Sequence, residues 1–305
     1  MLQKYAVIGI IQALFMCSVV HAQQGTGRLT APSGASATHS SATVPSQKER
    51  ADIPVFANAE VQAFLRALSS PELEDRQKLF PTRTEATFTE ADFKEKLREI
   101  EDAAGGPHEL VRQLLLFSAD AKDMREAMLA GVIVESLEIS QDDITSALLP
   151  YLETSNASVL KEVREWLGGL DYNRASKQYD FSRYENILRE KKQNPSPGLI
   201  RYMYAHNPEA AVLLMARVYG GKATETKLAA QLKGDPKPVL QSFAERPEWW
   251  AHLYVASVLE KDPLLRTPEL MEILEKDTHP IVQEKVSKLI EEMEPKPAVV
   301  HPFQH

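Results

Sequence analysis

Four times between residues 70 and 270 the chain places Pro-Glu at the head of an apolar-periodic run, at Ser70-Pro71-Glu72, Asn207-Pro208-Glu209, Arg246-Pro247-Glu248 and Thr267-Pro268-Glu269. Each reads as a helix start. Proline at the first helical position gives up an N–H that would have had no intrahelical partner, and the adjacent glutamate sits at the positive end of the helix dipole. Starts this closely spaced allow only short helices set end to end, so the chain after about residue 55 is predicted to be all-α.

Local signals agree. Thr89, with Asp92 three residues on, forms a capping-box pattern, and Phe88 and Phe93 are placed to pack as a hydrophobic staple. Phe93, Leu97, Ile100 and Ala104 then recur as one helical stripe before Gly105-Gly106-Pro107 ends the run. Ile144, Leu148 and Leu152 repeat the pattern, as do Val159, Val163, Leu167 and Leu170, and again Val282, Val286, Leu289 and Met293. Ala127 to Val134 is apolar on all sides, and its flanks favour a helix buried between two neighbours over a strand through Val132-Ile133-Val134.

Pairing these helices gives units from His108 to Ile139, Ser140 to Asp171, Asp180 to His206, Asn207 to Gly234, Asp235 to Glu260 and Thr267 to Met293. A helix–turn–helix period of about 30 residues is the pattern of an α-solenoid, in which neighbouring units complete one another's core. Asp277-Thr278-His279-Pro280-Ile281-Val282-Gln283, followed by Val286 and Leu289, resembles the second-helix start of a HEAT repeat. Asp123-Met124-Arg125-Glu126-Ala127 is a second match, and Asn156 to Leu167, with Val163 and Arg164, a looser third. The resemblance covers residues 108–293 and departs most over 172–246, where Leu199-Ile200-Arg201 replaces the Val-Arg pair. A tetratricopeptide-like pairing or an irregular bundle stays open there. The resemblance implies a right-handed α-solenoid of antiparallel helix pairs over residues 53–294 that serves as a protein-binding scaffold; fold alone does not fix function.

The two ends differ from this body. Met1 to Lys4 is weakly basic, Ala6 to Val20 is apolar, and Val20-His21-Ala22 has small residues where a signal peptidase cuts, so residues 1–22 read as a secretory signal peptide. An apolar run shorter than about 20 residues disfavours an uncleaved anchor. A lipoprotein anchor at Cys17 is the other alternative, with Met16 too large for the residue before a modified cysteine. Residues 23–52, rich in Ser, Thr, Ala, Gly and Pro, are expected to be a disordered tether. Residues 295–305 are expected to be a disordered tail, since Pro295, Pro297 and Pro302 oppose a helix. The address is then the periplasm or the cell exterior, and the mature chain has no cysteine and no transmembrane segment.

Composition narrows the function. Net charge is −8, and −9 once residues 1–22 are removed, which argues against a phosphate-backbone footprint and hence against nucleic acid. No glycine-rich phosphate loop, nucleophile elbow or metal-ligating histidine spacing occurs in the body, so no catalytic, cofactor or metal residue is assigned. Asn156-Ala157-Ser158 fits a glycan acceptor.

Partner-binding candidates come from helix geometry. Trp249 and Trp250 point about 100° apart on a helix, and Trp250 shares its face with Leu253, Tyr254 and Ser257, which leaves Trp249 and His252 as the pair expected to reach a surface. Lys285 and Lys288 lie opposite the Val282–Val286–Leu289 stripe, and with Arg164 and Arg201 they could line a concave face for an acidic partner. The expectation is an exported, non-enzymatic helical-repeat scaffold for a protein or peptide partner, with no cofactor. Two alternatives stand beside it: an all-helical hydrolase or lyase acting on a cell-envelope polymer, and a subunit of an envelope assembly or quality-control complex.

Overall fold

Helix starts can be followed one by one in a computed structural model of the protein, which describes residues 57–70, 72–80 and 89–293. The leader, the whole tether, the tail, Pro71 and Phe88 lie outside the described residues. Those described form 14 α-helices and one short hairpin, so the protein is all-helical as the spacing predicts. It divides into two compact units, residues 1–165 and 166–305.

The first unit contains α1 (Ala59–Ser69), α2 (Leu73–Leu79), α3 (Glu90–Ala104), α4 (Pro107–Ala119), α5 (Met124–Ser136), α6 (Gln141–Leu148) and most of α7 (Ala157–Asp171). The capping box of α3 is formed, with Asp92 N–H donating to Thr89 Oγ1 and Thr89 N–H to Asp92 Oδ2. Its predicted stripe of Phe93, Leu97, Ile100 and Ala104 is buried throughout. The helix stops because Gly105 takes φ 97°, a left-handed conformation that favours glycine. Central to the unit is α4, which packs on α1, α3, α5 and α6 and buries Leu110, Val111, Leu114, Leu115, Leu116 and Phe117. Each such side chain contributes about 1.5–3 kcal/mol. Gln113, also buried, is satisfied by Asn58 N–H at 2.8 Å and Glu109 at 3.1 Å. The segment 127–134 is helical, but α5 buries only Leu129, Ala130, Val132 and Ile133; Met124 and Met128 are 77% and 52% exposed. The expectation of burial on all sides is corrected: one face of α5 meets solvent.

The second unit holds a hairpin, β1 (Tyr172–Asn173) with β2 (Gln178–Tyr179), then α8 (Glu185–Glu190), α9 (Pro197–His206), α10 (Pro208–Gln231), α11 (Pro236–Ala244), α12 (Trp249–Lys261), α13 (Pro268–Glu275) and α14 (Pro280–Met293). Two Pro-Glu starts form as expected: Asn207 and Thr267 cap α10 and α13 by accepting from the N–H groups of Ala210 and Leu270. The other two are displaced. Ser70 Oγ accepts from Glu72 N–H, and α2 begins at Leu73 behind it. Arg246 carries no side-chain acceptor, so Glu248 becomes the N-cap residue and α12 begins at Trp249. The last two helix pairs stack, α11 on α13 and α12 on α14. Packed also against α9 and α10, α12 buries every residue from Trp250 to Ser257.

The hairpin was not expected, because its strands are two residues long and no periodicity shows at that length. Helix α10 is broken inside the unit Asn207 to Gly234. Gly221 takes φ 82° and ψ 175°, and Arg217 bridges the break by holding Glu225 with two guanidinium nitrogens and Glu185 with the third.

Candidate functional site

The start of α12, the connection before it and the connection between α13 and α14 enclose an open cleft of about 990 Å³, with Tyr219 of α10 on a further side. The α12 start places two tryptophans with different fates. Trp250 is 2% exposed, and its carbonyl oxygen accepts from Tyr204 O–H at 2.8 Å. Trp249 is half-buried on the cleft wall, where its ring lies parallel to His279 with centroids 4.0 Å apart, and Tyr219 meets it edge-on at 6.0 Å.

The turn that delivers His279 is fixed from below. His252 is only 9% exposed; its Nδ1 meets Asp277 Oδ2 and its Nε2 the Ala244 carbonyl at 3.0 Å. The other Asp277 oxygen accepts from His279 N–H at 2.6 Å. The expectation that His252 reaches a surface is therefore corrected: its ring is a buried brace, both nitrogens engaged, that ties α11, α12 and the α13–α14 turn together. A helical wheel cannot show this, because Asp277 lies 25 residues away.

The cleft carries polar atoms without partners. The Arg246 guanidinium pairs with Glu248 at 2.9 Å and lies 5.6 Å above the Trp250 ring. Arg246 Nε, Glu248 Oε2 and His279 Nδ1 are buried and make no hydrogen bond to the protein. A buried polar atom left so costs about 1–3 kcal/mol. Burial pushes the His279 imidazole below its usual range, against the pull of Asp277. The neutral ring that results stacks on Trp249 without having to desolvate a charge.

The four cations proposed for an acidic partner are placed differently. Arg201 of α9 pairs with Glu284 of α14 at 2.5 Å, Lys288 pairs with the same carboxylate at 3.1 Å, and Lys285 pairs with Glu260. Carboxylates of the chain thus already neutralise three of them, and none of these three lines the cleft. Arg164 is half-buried on α7, in the first unit. Asn156, read as a glycan acceptor, caps that helix through Ser158 and Val159 N–H.

A second cluster escaped the sequence reading. Asp171, at the end of α7, is buried and accepts from Tyr184 O–H at 2.6 Å and Tyr202 O–H at 2.7 Å, with Arg183 Nε 3.1 Å from its other oxygen. That last contact is ionic, because Oδ1 makes no directed hydrogen bond. Burial raises the Asp171 carboxyl while the two tyrosines and Arg183 oppose the rise, and burial also raises both phenols. Asp171 O accepts from Asp180 N–H at 2.9 Å, closing the base of the hairpin. This cluster fixes the hairpin on α8 and α9. Its donors lie 13 and 31 residues from the acid, at no motif spacing.

Among the described residues no helix is long and apolar enough to cross a membrane. No family model, no curated protein and no solved structure matches the chain.

Proposed function

We propose that the chain is an exported, non-enzymatic scaffold with a HEAT-like α-solenoid body, and that it binds an extended segment of a partner protein in the Trp249 cleft. The open cleft with Trp249 on its wall is the observation that carries this reading. A half-buried tryptophan beside a second flat ring gives contact area at low entropy cost, as interface anchors do. Lys276 and Glu245, exposed at the cleft, supply a donor and an acceptor that a peptide backbone complements. The stacked pairs α11/α12 and α13/α14 support the repeat reading, and residues 1–22 support export. The envelope-hydrolase alternative finds less support, since Glu248 and Asp277, two of the cleft carboxylates, are already engaged by Arg246 and His252.

A photo-crosslinking residue at Thr278, an exposed cleft position, tests the proposal in the producing cell, with Lys122 of the first unit as control. A specific adduct is expected from position 278, absent from position 122 and lost with Trp249→Ala. Equal labelling at both positions, or labelling indifferent to Trp249, overturns the reading. Terminal sequencing of the exported protein is expected to begin at Gln23; retention of Met1 overturns the cleaved leader.

A further inference from the structure

We infer that the cleft has an occupant within the same chain, the proline-containing segment Glu294–His305, which a partner must displace. The inference rests on the peptide-binding reading of the cleft given above. Helix α14 makes the connection: Pro280, its first residue, lines the cleft, and Met293, its last, leads directly into the segment. A helix of 14 residues is about 21 Å long. From Met293 to Pro302 an extended proline-rich chain reaches about 28 Å at 3.1 Å per residue, enough to return along α14 to its start.

The chemistry of the segment suits the walls. Pro295, Pro297 and Pro302 favour the polyproline conformation, whose ordering costs little entropy, and such segments dock on grooves lined by flat aromatic rings. Trp249, Tyr219 and His279 are those rings here. Phe303 follows Pro302 and supplies the anchor. The backbone carbonyls and N–H groups of a polyproline-like segment are not used internally, so they can meet exposed polar side chains of the cleft such as Lys276 and Thr278. The segment carries Glu294 and Lys296, no net charge apart from histidine, and the cleft is likewise mixed, with Glu245, Glu248 and Asp277 against Arg246 and Lys276. Attachment to α14 also raises its concentration at the cleft to the millimolar range, so weak contacts suffice.

The test uses the full-length exported protein with a photo-crosslinking residue at position 303. Intramolecular adducts are expected on Trp249, Thr278 or Glu248. In parallel, a dye-labelled peptide of residues 294–305 is titrated into the full-length Phe303→Ala protein, whose own segment lacks the anchor, with anisotropy as readout. Saturable binding is expected, weakened at least about fivefold when the peptide itself carries Phe303→Ala, as for a lost interface anchor. Competition by unlabelled wild-type peptide excludes dye artefacts. Adducts scattered over the surface, or no saturable binding, overturn the inference. The partner test at Thr278 is separate: an outside adduct there, with no binding of the peptide, sinks this inference alone, whereas peptide binding without an outside adduct sinks the external-partner reading.

Discussion

Adjacent tryptophans with opposite roles give a sharp test at the level of single residues. Trp250→Ala removes a side chain that is 2% exposed and lies beneath the Arg246 guanidinium, and it is expected to cost about 3–5 kcal/mol in urea unfolding. Trp249→Ala, on the cleft wall, is expected to cost less, about 1–2 kcal/mol, because its ring is only half-buried and loses less area from the core. Equal losses would mean that the cleft closes over both rings. The different facing of the two rings was readable from helical spacing, and so was the burial of Trp250 beside Leu253 and Tyr254. His252 was misjudged for a physical reason. A polar residue on the exposed side of a wheel becomes core when a distant turn brings it a carboxylate, and nothing near residue 252 announces Asp277. Arg201 and Glu284, 83 residues apart, show the same limit.

Among the elements, α10 carries the strongest test. Gly221 sits at φ 82° and ψ 175°, a region nearly confined to glycine, and nothing lies within 4 Å of an added Cβ. Gly221→Ala is therefore expected to cost about 1–3 kcal/mol from backbone strain alone. Gly169→Ala, within α7 and equally open, is expected to be neutral or to stabilise by up to about 1 kcal/mol. Matching losses in the two variants would refute the strained break. The Arg217–Glu225 bridge adds a pH dependence. Hydrogen bonds from Arg217, helped by Lys222, hold the Glu225 carboxyl below its usual value of 4.5. Its stabilisation is thus complete above that value and fades as pH falls through the lowered one. Glu225→Gln should cost about 1–3 kcal/mol near neutrality and nothing in acid; a difference that does not vary with pH would assign the loss to packing. Caps at Thr89, Asn207 and Thr267 were legible because capping is a local reaction between a side-chain oxygen and N–H groups two or three residues on. The Gly221 break and the hairpin were not, since a glycine pair and four strand residues carry no periodicity.

Taken whole, the chain is acidic and helical, and its far-ultraviolet circular dichroism is expected to be dominated by helix, because strands of two residues contribute almost nothing. A strong β signal would contradict the fold described here. The helical class was legible throughout, since helix starts and apolar periods recur along the length. The site was legible only at Trp249, because the other walls of the cleft come from two further stretches of sequence, at Tyr219 and at 273–280, that meet it only on folding. One small element has a practical use. Between β1 and β2 the turn is held by Asn173, whose side chain accepts from Ala175 and Ser176 N–H, while residues 174–177 stand in solvent and line no part of the cleft. An epitope or dye-accepting tag grafted into that turn would leave Asp171, Tyr179 and the base of the hairpin in place, and would allow the protein to be followed in the living cell with the Trp249 cleft untouched by the label.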